Sequence, residues 1–436
     1  MNWQTFFEWP AVRIITLLAA LAGLVRFFAW VLGPLRRWWR RRTLDPQKEI
    51  PRLFDALEQV AEEFGIPIRG PLVQNGHPLP SDAIEKLQSI TGQIESFAQA
   101  ITLSAQEYLE FGNAYSALQQ FDKALQKYDR SIALRPTSIR YNNRAIAHAQ
   151  LGHLERAIDD YSKATELNPN RPQPFSNRGV AYMHLDQFER AIRDFDTALH
   201  LEPNYPEILI NRGVAYDHLG DHERAIEDFD KALELAGDDP VALLNRGRAY
   251  SHLRHHQRAI ADYDKALELS PDFRAEIFYN RGDTYSCLKE YERAIQDYDK
   301  ALQLDPDDAG ALIQRGNAYA DLKNYQRAIK DYSEALRIKP DFAEAFYNRG
   351  NAYFKLRNYQ RAIEDYDQSL ELNPELSSAL YNEACIYFLM SQKEQASDAL
   401  DQLIRLDPRW RERAKTDTVV GDIRDVIRWP KSESIT

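Results

Sequence analysis

The sequence predicts an all-α solenoid of stacked helical hairpins, and three observations predict it. A set of words recurs at a fixed period. Asn211-Arg212-Gly213, Ala225-Ile226 and Asp228-Phe229 return 34 residues on as Asn245-Arg246-Gly247, Ala259-Ile260 and Asp262-Tyr263. With one residue inserted at Arg274, they return again as Asn348-Arg349-Gly350, Ala362-Ile363 and Asp365-Tyr366. Such a period marks supersecondary units that bury their apolar faces against their neighbours. Each unit also closes at a helix terminator, and the composition, with 18 glycines in 436 residues, suits helices more than sheets.

The chain opens on residues 1–42, with seven arginines (Arg13, Arg26, Arg36, Arg37, Arg40, Arg41 and Arg42) against Glu8. From Ala11 to Leu35 it is apolar apart from Arg13, Thr16 and Arg26. As a helix this stretch would reach roughly 37 Å, enough to cross a bilayer core with tilt. Trp3, Trp9, Trp30, Trp38 and Trp39 lie in or beside it, as interfacial aromatics do. Residues 11–35 therefore read as a membrane helix with an arginine-rich flank. Arginines that follow the span predict a single-pass membrane protein with its N-terminus outside and the repeats in the cytoplasm. Arg26 is discordant, since a mid-span charge costs on the order of 3 kcal/mol. An interfacial helix and a buried helix are the alternatives.

Residues 43–104 read as a helical connector that caps the first repeat. Ile50, Leu53, Phe54, Leu57, Val60, Ala61 and Phe64 predict a helix over Gln47 to Phe64. Gly65 to Pro80 is too rich in Gly and Pro for regular structure. Asp82 with Glu85 resembles a capping box, followed by the apolar stripe Ile84, Leu87, Ile94, Phe97 and Ile101. A dimerisation or regulatory role is the sharper alternative for this connector.

Residues 105–410 divide into nine units of 33 to 35 residues, starting at Ala105, Ser138, Pro172, Pro206, Pro240, Ala275, Ala309, Ala343 and Ser377. The eighth place is Gly in seven units and Ala at Ala145 and Ala384, as a close helix approach requires. The twentieth is Ala in all nine, read as its facing contact, and the eleventh is Tyr except at His148. Proline stops the second helix in every unit but one, where Gly237 stands instead. This pattern resembles the tetratricopeptide repeat (TPR) family. The resemblance implies a right-handed superhelix of antiparallel helix pairs whose first helices line a concave groove. Residues 411–436 then supply a C-terminal capping helix, with Ala414, Val419, Val420, Ile423, Val426 and Ile427 on its apolar side.

Two ladders run through the units. The seventh place is Arg and the twenty-third Asp in the same seven units, from Arg144 with Asp160 to Arg349 with Asp365. Where Phe111 and Glu383 replace Arg, Lys127 and Ala399 replace Asp. That co-occurrence predicts an ion pair between the two helices of a hairpin. A second Arg four residues before each Asp lies one turn away on the same helix.

The sixth place carries Asn143, Asn177, Asn211, Asn245, Asn280, Gln314, Asn348 and Asn382, beside the fifth-place Tyr279, Tyr347 and Tyr381. An amide both donates and accepts, so a row of them can hold a peptide backbone of any sequence. The row is similar to the asparagine ladder of the TPR domain in O-linked N-acetylglucosamine transferase. Capping or bridging of neighbouring helices is the competing role. The clamp by which some TPR co-chaperones hold acidic chaperone tails needs cations at the second, fifth and sixth places, which carry no Lys or Arg here.

The net charge of −11 combines a basic N-terminus with an acidic body, which argues against a nucleic-acid partner. Cys287 and Cys385 lie about three repeats apart, too far to bridge, which suits a reducing compartment. His184, His218 and His252 recur at one period, which spaces neighbours too widely to share a metal ion. No phosphate loop, metal cluster or nucleophile motif stands outside the repeats, so neither an enzyme nor a cofactor is expected. The reading is a membrane-anchored interaction scaffold, in a style resembling bacterial and especially cyanobacterial TPR proteins. It would bind a protein or peptide segment in its groove, for recruitment or assembly of a complex. A regulatory subunit of an enzyme such as a sugar transferase, or a soluble self-assembling regulator, are the other classes.

Overall fold

The computed structural model describes residues 46–64, 79–98, 102–269 and 274–410, which form twenty helices and no strand. They fall into two compact units, ending at Pro203 and beginning at Asn204. The first holds α1 (Pro46–Glu63) and α2 (Ser81–Phe97), then hairpin 1 (α3 Ala105–Ala117, α4 Phe121–Leu134), hairpin 2 (α5 Ser138–Gln150, α6 Leu154–Leu167) and hairpin 3 (α7 Pro172–Met183, α8 Phe188–Leu201). The second begins with hairpin 4 (α9 Pro206–His218, α10 His222–Ala236), hairpin 5 (α11 Pro240–His252, α12 His256–Leu269) and hairpin 6 (α13 Arg274–Cys287, α14 Tyr291–Leu304). It continues through hairpin 7 (α15 Ala309–Asp321, α16 Tyr325–Ile338), hairpin 8 (α17 Ala343–Lys355, α18 Tyr359–Leu372) and hairpin 9 (α19 Ser377–Leu389, α20 Lys393–Leu406).

Within each unit a first helix packs on its own second helix, which in turn meets the next first helix. Successive first helices also touch, as α3 with α5 and α11 with α13. The second helices described against a proline end two residues before it, for example at Leu134 before Pro136 and Leu304 before Pro306. Proline lacks the N–H that another turn would need, and it pushes its predecessor out of helical geometry. At Gly237 the chain leaves α10 with φ 80°, the left-handed region open to a residue without Cβ.

The turn inside each hairpin also passes through the left-handed region, at the fifteenth place. Gly152 and Gly220 fill it in hairpins 2 and 4, and side-chain-bearing residues fill it elsewhere: Gln119, Asp186, Arg254, Lys289, Lys323, Arg357 and Ser391, with φ between 55° and 62°.

The eighth-place glycines meet an aromatic ring first, and Gly350 also lies against the twentieth-place alanine, a Cβ there falling 3.3 Å from the Ala362 carbonyl oxygen. A Cβ on Gly316 would lie 2.6 Å from the Tyr332 ring, and one on Gly179 2.6 Å from Phe195. The nearest partner is therefore the aromatic at the twenty-fourth place. The eight tyrosines and phenylalanines at that place, from Tyr128 to Tyr366, are essentially inaccessible and form the centre of hairpins 1 to 8.

The connector helix covers Pro46–Glu63, and with α2 it buries Ile50, Leu57, Leu87 and Ile94 in one core with hairpin 1. The capping box expected at Asp82 does not form, because Pro80 is the cap residue of α2 and makes no side-chain cap bond. A complete box forms at the next helix instead, where Ser104 accepts from the Glu107 N–H and Glu107 from the Ser104 N–H.

The membrane helix expected over residues 11–35 and the capping helix over 411–436 lie outside the described residues. The placement as a single-pass membrane protein is corrected, since no described helix is long and apolar enough to cross a membrane. The described helices run to 18 residues at most and carry polar side chains among their apolar ones.

Candidate functional site: the first-helix face

The seventh-place arginines are committed to the scaffold. Arg144 places Nε 2.6 Å from Asp160 Oδ2 and a terminal nitrogen 2.7 Å from Oδ1. The same two-pronged pair recurs at Arg178 with Asp194, Arg212 with Asp228, Arg246 with Asp262, Arg281 with Asp297, Arg315 with Asp331 and Arg349 with Asp365. The third guanidinium nitrogen reaches the twenty-fifth place of the preceding hairpin. It meets Asp129 from Arg144, Asp230 from Arg246, Asp264 from Arg281 and Asp299 from Arg315. Ser162 and Ser333 take that role for Arg178 and Arg349. Each such arginine joins three helices, and its bond to the buried Asp160 raises the pKa of Arg144 further.

The second arginine of each repeat does not pair along its own helix as the spacing suggested. In hairpins 3 to 8 it lies over the eleventh-place tyrosine, as Arg224 over Tyr216 at 5.4 Å and Arg293 over Tyr285 at 4.1 Å. A cation over a ring face contributes about 0.5–1 kcal/mol at exposed sites.

The sixth-place amides divide into three groups. Asn143, Asn348 and Asn382 bridge hairpins, donating from Nδ2 to Oδ1 of the ninth-place Asn113, Asn317 and Asn351 at 2.9, 3.1 and 2.8 Å. Each of those ninth-place oxygens also accepts from the twenty-fourth-place hydroxyl of its own hairpin, Tyr128, Tyr332 or Tyr366. Asn177 donates instead to Asn142 Oδ1 at 3.1 Å, and Asn142 donates to Asn143. An amide relay thus runs from Asn177 through Asn142 and Asn143 to Asn113, its dipoles aligned and mutually strengthening.

Asn245 and Asn280 turn back to carbonyls of their own helices, Val241 and Glu276, each at 2.9 Å. Gln314 accepts from Asn317. Asn143 and Asn245 are buried, whereas Asn177, Asn211, Asn280, Gln314, Asn348 and Asn382 are half-buried.

The three candidate tyrosines are half-buried and lie against other rings. Tyr279 sits 6.1 Å from Tyr298, Tyr347 5.9 Å from Tyr366, and Tyr381 stacks on Trp410 at 5.0 Å. Burial, with the nearby charges of Asp283 and Asp308, pushes the Tyr279 hydroxyl up to about 12. Asp283 takes the ninth place of hairpin 6 and accepts from the Tyr298 hydroxyl at 2.6 Å. Burial raises its carboxyl to about 6.

Sequence reasoning missed the ninth place. The signal was present, since Val180 and Val214 accompany Phe195 and Phe229, whereas Asn113, Asn317 and Asn351 accompany tyrosines. Apart from Ile146 with Tyr161, polar and apolar rungs change together, but only the structure shows that the two places meet.

Among the described residues no His, Cys, Asp or Glu cluster is placed to hold a metal ion. His252 stacks on His222 at 4.7 Å, and His222 pairs with Asp217, which also takes Arg248.

Family models described as "Tetratricopeptide repeat" match residues 139–171, 177–240, 240–273, 275–308, 297–330, 343–376 and 377–409, and one described as "TPR repeat" matches 316–357. Together they run through more than half of the chain. The chain is 33% identical over 87 residues to Hsp70-Hsp90 organizing protein 3 of Arabidopsis thaliana, covering 20% of this chain and 15% of that protein. It is 33% identical over 76 residues to small glutamine-rich tetratricopeptide repeat-containing protein 2 of Mycosarcoma maydis, 17% of this chain and 20% of that one. These matches span a fifth or less of the relatives' lengths.

Among solved structures, YrrB, titled a TPR protein with an unusual peptide-binding site, is 25% identical over 43% of this chain and 97% of its own, with a TM-score of 0.37. The Cut9-Hcn1 tetramer structure is 14% identical over 79% of this chain and 82% of its own, with a TM-score of 0.46.

Proposed function

We propose that this chain, which belongs to the tetratricopeptide repeat family, is a protein-interaction scaffold that holds an extended partner segment along its first-helix face. The partner would thereby be recruited into, or assembled onto, a complex. The observation that supports this reading most is the state of the sixth-place row. Six of its eight amides are half-buried, at a depth where the atoms left over from stacking can meet a backbone N–H or C=O. Each such bond contributes about 0.5–1.5 kcal/mol net, so several repeats must act together. The arginines of the ladder are held by aspartates, so they do not make this face an anion receptor.

The test is crosslinking capture of partners, comparing the native chain with one carrying Asn211→Ala and Asn280→Ala. Neither amide bridges to another hairpin's amide, so helicity and melting should be kept. Loss of a partner set supports the reading, and an unchanged set rejects it.

A further inference from the structure

We propose that the cavity between hairpins 2 and 3 receives one carboxamide side chain, an asparagine or glutamine of the bound partner segment. This rests on the reading that a segment lies along the first helices, and it names one residue class that the segment must present.

The cavity is about 110 Å³, and Tyr161, Asn177, Gln150, His184, Ala149 and Val180 line it. It lies where the regular rung fails. In hairpins 1, 7 and 8 the twenty-fourth-place hydroxyl donates to a ninth-place asparagine. In hairpin 3 both places are apolar, Phe195 and Val180. Hairpin 2 keeps the tyrosine, Tyr161, but has Ile146 at the ninth place. Tyr161 is 1% exposed, and its hydroxyl makes no hydrogen bond among the described residues. The hydroxyl is not among the sealed side-chain atoms that lack a partner, so it opens on the cavity and can donate to what enters.

The polar atoms around the cavity fix the ligand class. Burial raises the Tyr161 phenol above its ordinary range, so it stays protonated and donates. Asn177 uses its Nδ2 on Asn142, which leaves its carbonyl oxygen to accept. A donor and an acceptor lining one cavity match the C=O and N–H of a primary amide, and Gln150 and His184 add further polar atoms to the same wall. The lining carries no carboxylate, so a lysine or arginine side chain would enter without a counter-ion and meet the desolvation cost of an unpaired charge, and His184 is the one basic group a carboxylate would find there.

The test titrates blocked glutamine (N-acetyl-glutamine methylamide) into the full chain by ligand-observed NMR, with blocked glutamate and blocked leucine as competitors in shape. Saturable binding of the glutamine probe, with the other two at least about fivefold weaker, is expected. Tyr161→Phe, which copies hairpin 3, should weaken the probe by a similar factor with helicity kept. Ile146→Asn, which supplies the missing acceptor, should do the same by completing the rung. No binding, equal binding of the three probes, or equal binding by native and variant chains overturns the proposal. Partner capture that fails with Asn211→Ala and Asn280→Ala yet survives Tyr161→Phe overturns the pocket alone and leaves the scaffold reading standing.

Discussion

Glu383 is where the ionic ladder inverts, and it supplies the sharpest test of the ladder's role. It occupies the seventh place of hairpin 9, where hairpins 2 to 8 have arginine, and is 7% exposed. The charge that acts on it from the preceding hairpin is that of Asp367, at the twenty-fifth place, the place at which Asp299 meets Arg315 two hairpins earlier. An acid thus stands where the ladder has a base, within reach of the charge of a second acid on α18. Burial first, and the charge of Asp367 second, raise the Glu383 carboxyl from 4.5 to about 7, against a smaller opposing contribution from the Tyr387 hydroxyl.

The folded chain therefore holds this proton to higher pH than the unfolded chain does. The contribution to stability is fully present below about pH 4.5, where both states are protonated, and is lost as pH rises to about 7. A shift of that size corresponds to about 3 kcal/mol at pH 8.

Repeat arrays open locally, so the loss should fall on hairpin 9. The assay is amide hydrogen exchange of α19 and α20 at pH 5 and pH 8, corrected for intrinsic rates, in the native chain and Glu383→Gln. The native chain should lose protection in α19 and α20 between the two values, and Glu383→Gln should keep it. Equal pH slopes in the two chains would refute the argument.

Two further outcomes follow from the same geometry. Asp331→Asn leaves Arg315 half of its anchor in a site where Asp331 is 5% exposed, and should cost roughly 3 kcal/mol in urea unfolding, whereas less than 1 kcal/mol would show the pair to be solvent-screened. Lys323→Gly relieves a left-handed residue at φ 61°, and should raise the stability of hairpin 7 by up to about 1 kcal/mol while Lys323→Ala does not; a fall in melting temperature would show that the turn is unstrained.

The period, the hairpin count and the Arg–Asp pairs were legible because each is a statement about residues that repeat, and repetition within one chain substitutes for comparison between chains. What was not legible depended on direction. Spacing placed Gly and the twentieth-place Ala on facing helices, but the inward tilt that sets Gly316 against Tyr332 is a property of the packed pair. The left-handed fifteenth place was hidden because seven of its nine residues carry side chains. The sixth-place row was legible as a row, but not in its loyalties. Asn348 and Asn382 hold the neighbouring hairpin, and Asn280 holds its own helix.

That division changes how the row must be probed. Replacing Asn382 removes a bond to Asn351 and exposes Tyr366 to the loss of a neighbour, so a binding defect there would mix contact with stacking. Replacing Asn280 removes only a bond within α13. The same amide type therefore reports on stacking at one rung, whereas at another its replacement leaves the stacking intact and isolates the proposed contact.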